Sequence, residues 1–321
     1  MKNIIICSDG TGNEYGSNIT NVVETYKLAK KTKDQMVYYD PGIGTGGYLY
    51  DEGTGVLKAA YDAGTGTGVH KNVEQAYTYL MEVFKPGDKV YLFGFSRGAF
   101  TVRSLAGMLH NVGLLPADHD NHLEYASKYY LDKDYHHLNK GFKEDFSRPC
   151  PVHFIGVWDT VDSTLLHEGA KFTDTRLNPE VAHAYHAVSI DEKRKDFPVC
   201  LWDEKNLAPG QVMQQVWFSG VHSNVGGWYD SRDLSSIALC WMIEKAKAAG
   251  LKVNDKLFQE RQNERKPVGE IHESYDGFWR FRRSKRRVIP DNALIHQSVV
   301  DRMNAVPSYK PKLPGNYKLV L

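Results

Sequence analysis

The residues best placed to do chemistry are Gly94-Phe95-Ser96-Arg97-Gly98, a G-x-S-x-G between an apolar strand and a helical pattern. That context predicts a nucleophile elbow, with a serine on a tight strand-to-helix turn that lifts its hydroxyl above a sheet. Gly94 and Gly98 remove side chains that would collide at the turn. The N–H of Arg97 then lies at a helix N-terminus, where the dipole favours a developing oxyanion. A serine hydroxyl is a weak nucleophile and needs a base that is itself held by a carboxylate. The apolar run 152–158 ends at Asp159-Thr160-Val161-Asp162, which offers Asp159 as the preferred acid and Asp162 as the alternative. The run 214–218 ends at Ser219-Gly220-Val221-His222, which makes His222 the expected base among thirteen histidines. A second oxyanion donor is expected from the turn after the first strand, at the amides of Gly10 or Thr11.

The elements that must carry these residues are legible as short apolar runs alternating with helical periodicity. Strands are expected at 2–7, 36–39, 89–95, 152–158 and 214–218. Helices are expected at 19–30, 70–84, 99–112 and 234–249. Non-alternating strands separated by helices imply a parallel sheet covered on both faces. The expectation is therefore a single α/β domain over 1–321, of α/β-hydrolase-like architecture. Residues 116–150 and 251–295 do not fit the alternation and are read as insertions forming a helical cap.

Charge and composition narrow the function classes. Forty basic residues stand against thirty-nine acidic ones, a balance with no global field to attract nucleic acid. The four cysteines form no CxxC pair, and the clustered histidines 119, 122, 136 and 137 match no zinc-ligand spacing, so neither metal nor cofactor is expected. The N-terminal apolar stretch is too short for a signal-peptide core, and no run reaches membrane-helix length; a cytoplasmic protein of the producing cell is expected. Gly42 to Gly47 contain G-x-G-x-x-G, but no helix pattern follows at once, and a loop bordering the site is the better reading than a dinucleotide site. One dense basic run, 280–287, offers Arg280, Arg282, Arg283 and Arg286 as contacts for anionic lipid headgroups at a peripheral membrane surface.

With these residues in place the chain resembles the DUF2235 α/β-hydrolases, which include the phospholipase effectors of type VI secretion of the Tle1 class. The resemblance rests on SDGTGN (8–13), YYDPGIGT (38–45), FGFSRGAFTVRSLAGM (93–108), FIGVWDTVDS (154–163), DEKRKDF (191–197), WFSGVHSNVGG (217–227) and ALCWMIEKAKAAGL (238–251). It implies a Ser-His-Asp acyl hydrolase acting on an ester or phospholipid, with export as an effector left open. Asn224 departs from the acidic residue usual in the family, and the sequence ends before the long extension of the large effectors. Ester hydrolysis is thus the broader expectation and phospholipid cleavage the narrower one. The same triad would serve an acyltransferase, thioesterase or peptidase, and a catalytically silent binding module is the rival from another class.

Overall fold

The computed structural model describes residues 1–10, 19–42, 67–161, 175–281 and 283–321. Asp162, Thr11, Arg282 and most of the glycine-rich stretch 42–47 lie outside the described residues.

Among the described residues eight strands form one sheet in which every pairing is parallel. The strands are β1 (Asn3–Ser8), β2 (Gln35–Asp40), β3 (Lys89–Phe95), β4 (Val152–Trp158), β5 (Val181–Ser189), β6 (Val212–Phe218), β7 (Leu294–His296) and β8 (Lys318–Val320). Their spatial order is β2-β1-β3-β4-β5-β6-β7-β8. The chain steps outward from β1 to β2, then returns to the other side of β1 with β3. That reversal makes the crevice beyond the C-terminal ends of β1 and β3 the expected place for a ligand in an open parallel sheet.

β1 shows why the sheet is covered on both faces. All six of its residues are buried. Ile4 and Ile6 pack with α2 (Thr67–Val83) and α3 (Arg97–Val112), whereas Ile5 and Cys7 pack with α1 (Asn21–Leu28) and α7 (Ser235–Ala248). Alternate side chains point to opposite faces of a strand, so a continuous apolar run is what two helical layers require. The α/β sheet with helices on both faces agrees with the architecture expected from the sequence.

Residues 116–150 contain α4 (Leu123–Leu131) and α5 (Asn139–Phe146). Ser127 of α4 donates to Glu74 of α2, and Ala126 and Phe142 join the core on that face. The span 251–295 divides. Its helix α8 (Asp255–Asn263) puts Phe258 into the core shared by α1 and α7, and its end at 294–295 enters β7. Between them, residues 283–285 run as a strap beside 193–195, with Lys195 N–H donating to the Arg283 carbonyl at 3.1 Å and Lys285 N–H to that of Lys193 at 2.7 Å. The helix after His222 is short, α6 (His222–Gly226), and α9 (Gln297–Ala305) closes the β7 end, where Val299 packs with Trp217 and Ile295.

Candidate active site

Ser96 sits between β3 and α3 with φ 57° and ψ −122°, a backbone conformation that is unfavourable for any residue with a Cβ. Two hydrogen bonds hold it: its N–H donates to Trp158 O at 3.1 Å, and its carbonyl accepts from Phe100 N–H at 3.2 Å. A Cβ on Gly98 would collide with the carbonyls of Ser8 and Asp9, and one on Gly94 with the backbone of Gly98 and Ala99. α3 can therefore start directly against the end of β1, with the Arg97 N–H in its first, positive turn. The desolvated Arg97 guanidinium has its pKa lowered to about 10 by burial.

Asp159 follows β4 directly. It also adopts a left-handed conformation, φ 43°, and is fully buried. Its N–H donates to Ala187 O at 2.8 Å, which fixes the turn. Asp159 Oδ2 accepts from His222 Nδ1 at 2.5 Å, and Oδ1 accepts from the Ser189 amide at 2.8 Å. A carboxylate only accepts, so the imidazole proton lies on Nδ1 and the lone pair on Nε2. Burial alone would raise the pKa of Asp159, but the charges of Arg287 and His222 outweigh it and hold the carboxyl well below the usual range. Burial pushes His222 down, against the raising effect of Asp159, and the net direction is down.

His222 opens α6, and its backbone N–H donates to Glu192 Oε2 at 3.2 Å. Its ring lies between Phe95, at a centroid distance of 4.6 Å, and the edge of Phe197, at 5.2 Å. Phe95 is bonded to Ser96, so the ring that walls the imidazole belongs to the elbow itself. Glu192 is gripped by Arg194 through both oxygens, and this brings its carboxyl down to about 2 despite burial.

The remaining expected residues are distributed as follows. The Gly10 amide donates to Asp9 Oδ1 at 2.8 Å, within the turn that follows β1. Asp9 Oδ2 accepts from Thr20 at 2.7 Å and Tyr39 at 3.1 Å. Arg280 pairs with Asp276 at 3.0 Å on the surface, and Arg283 and Arg286 are exposed. Asn224 braces the segment 270–272: its side chain accepts from His272 N–H and donates to Glu270 O, both at 3.2 Å. His272 stacks on Tyr229 at 3.7 Å, and Ser274 donates to Glu192. Among the described residues no group of three His, Cys, Asp or Glu side chains is arranged to hold a metal, and no helix is long and apolar enough to cross a membrane.

Sequence reasoning passes over Arg287, Glu192 and Phe197. Arg287 Nη1 and Nη2 reach Asp159 Oδ1 and Oδ2 at 2.5 and 3.0 Å. As one of a run of surface cations, it carries no signal of a partner 128 positions earlier. The stretch 191–197 is visible only as a family-like motif, without a role for its residues.

A parallel sheet with a serine on a left-handed strand-to-helix turn, and a bonded Asp–His pair beyond later strands, defines an α/β protein of the α/β-hydrolase type. The chain belongs to the family described as the type VI secretion phospholipase effector Tle1-like catalytic domain, whose model matches residues 2–245. It is also 36% identical over 217 residues to the uncharacterized protein YEL023C of Saccharomyces cerevisiae, covering 61% of this chain and 32% of that protein. Two solved structures are similar. An uncharacterized protein from Pseudomonas aeruginosa has a TM-score of 0.48 and 18% identity, over 82% of this chain and 48% of that one. The Tle1 effector bound to the VgrG spike of the type VI secretion system has a TM-score of 0.38 and 21% identity, over 71% and 51%. This chain thus spans about a third of the yeast relative and about half of each solved chain.

Proposed function

We propose that this chain is a serine hydrolase of carboxylic esters, of the phospholipase type, with Ser96 as nucleophile, His222 as base and Asp159 as the acid that orients it. The observation that carries the reading is the 2.5 Å bond from His222 Nδ1 to the buried Asp159, beside an elbow whose Phe95 ring touches the same imidazole. Nε2 takes the Ser96 proton as Oγ attacks the ester carbonyl, and the Arg97 amide stabilises the oxyanion. Collapse of the tetrahedral intermediate breaks the ester bond, with Nε2 returning the proton to the leaving alkoxide. Water, deprotonated by Nε2, then attacks the acyl-enzyme, releasing the acid and restoring Ser96.

Membership in the phospholipase family supports a glycerophospholipid as the ester. The exposed Arg283 and Arg286 support approach to an anionic headgroup layer. The test is Ser96→Ala, assayed on p-nitrophenyl butyrate and on phospholipid vesicles alongside fluorophosphonate labelling of the unaltered protein. Loss of turnover with the fold intact, and labelling at Ser96, is the expected result. Full turnover in the variant, or an unlabelled Ser96, would overturn the assignment.

A further inference from the structure

We propose that Arg287 is a positioning residue of the catalytic triad, clamping both oxygens of Asp159 and tempering the negative charge that His222 feels. This rests on the triad reading above and adds a fourth member to it. The carboxylate has four donors for two oxygens. Oδ1 takes Ser189 N–H and Arg287 Nη1, and Oδ2 takes His222 Nδ1 and Arg287 Nη2. The planar guanidinium thereby fixes the plane of the carboxylate, and with it the direction in which Oδ2 faces the imidazole. Arg287 is in turn held by Ser189 Oγ at 2.7 Å, Ser189 O at 3.1 Å and Phe197 O at 3.1 Å, and its side chain is only 5% exposed.

Stability alone is a poor account of this arrangement. A buried ion pair gives back in Coulomb energy roughly what desolvation costs, and neutral donors would satisfy a triad aspartate equally well. A full cation beside that aspartate has an electrostatic consequence for the histidine. The charged and titratable groups facing His222 are Asp159 from the end of β4 and Glu192 and Arg194 from the loop after β5, with Arg287 of the strap behind Asp159. Asp159 and Glu192 favour imidazolium and Arg194 opposes it, while Arg287 acts through Asp159, whose charge it offsets. Removing Arg287 leaves Asp159 un-neutralised, so imidazolium is favoured and the pKa of His222 rises. Only neutral His222 can act as base, so the acidic limb of kcat/KM must move to higher pH.

The strap supplies Arg287 through the same ladder that fixes the walls of the imidazole. Residues 283–285 are bonded to 193–195, and that segment is flanked by Glu192, on the His222 amide, and Phe197, on its ring. The end of the basic run is thus built into the site.

The experiment compares Arg287→Met and Arg287→Lys with the unaltered protein, using pH profiles of kcat/KM on p-nitrophenyl butyrate. The Met variant is expected to lose at least about tenfold in kcat and to shift its acidic limb upward by at least about one pH unit, because charges a few ångströms apart at an effective dielectric of about 20 change proton affinity by more than tenfold. The Lys variant, which keeps the charge but not the fork, is expected to keep the limb near its original position with reduced kcat. A merely structural role would lower activity at every pH without moving the limb, and that result overturns the proposal. If the Met variant does not fold, Arg287→Gln takes its place: an acidic limb moved upward in the Gln variant but not in the Lys variant supports the proposal, and unmoved limbs in both refute it. Activity surviving in Ser96→Ala would instead fault the triad, which separates the two failures.

Discussion

Gly226 lies directly under the ring of Phe95, so close that a Cβ at 226 would fall inside the van der Waals envelope of three ring atoms. Phe95 precedes the proposed nucleophile and also packs against the ring of His222, the first residue of the helix that Gly226 ends. One glycine therefore sets the distance between the elbow and the imidazole. In Gly226→Ala the ring or α6 must shift, and overpacking of this kind costs about 1–3 kcal/mol. Activity should suffer more than stability, because a displacement of about 1 Å at a reacting pair costs on the order of a hundredfold. Urea unfolding and p-nitrophenyl butyrate turnover, measured on the same preparation, check both parts. A variant with undiminished kcat would show that Phe95 does not couple the two residues.

Much of this site is legible in the sequence because its backbone chemistry is local. Gly94 and Gly98 announce a turn no Cβ could enter, and the runs 89–95 and 152–158 read as buried strands from apolar continuity alone. Asp159 and His222 stand out because each lies just beyond a strand. β5 escapes such a reading because its sequence, VAHAYHAVS, interrupts the apolar pattern with buried or half-buried histidines. His186 shows the reason: it is buried against the Thr160 amide and Gln215, partners that only the folded sheet supplies. β7 and β8 are three residues each, too short to show a period. Arg287 is hidden for a different reason. A basic residue in a basic run reads as solvated, and only the path of the strap turns this one inward.

Asp40, at the end of β2, is 3% exposed; burial, reinforced by the neighbouring charge of Asp9, raises its carboxyl to about 7. Among the described residues its Oδ2 has no hydrogen-bond partner. A carboxyl whose folded pKa lies above its unfolded value of 3.8 favours the fold in its neutral form, and that advantage is lost as pH rises from 3.8 through about 7. Asp40→Asn removes the ionisation while keeping the shape. It should raise the unfolding free energy at pH 8 by a few kcal/mol, because each tenfold difference in proton affinity between fold and unfolded chain corresponds to roughly 1.4 kcal/mol, and change it little at pH 4. Chemical denaturation at the two pH values tests this. Equal effects at both would mean that Asp40 ionises in the fold as readily as in the unfolded chain.

The proposed lipid approach makes a prediction that separates binding from chemistry. Arg283 and Arg286 are exposed, whereas Arg280 is already paired with Asp276, so the first two are arginines of the run that can meet an anionic surface. Each basic side chain near such a surface contributes about 1 kcal/mol, so replacing both with Gln should weaken partitioning onto phosphatidylglycerol vesicles by roughly thirtyfold at low salt. Turnover of vesicle lipid should fall with the partitioning, and more steeply than turnover of soluble p-nitrophenyl butyrate, which needs no surface. Raising the salt should shrink the difference between the proteins, because screening weakens the attraction that distinguishes them. Arg287→Met would behave in the opposite way, losing turnover on both substrates while still partitioning onto vesicles. If the double Gln variant bound anionic vesicles as tightly as the unaltered protein, the outward part of the basic run would have no lipid role, and only its inward end at Arg287 would bear on the reaction.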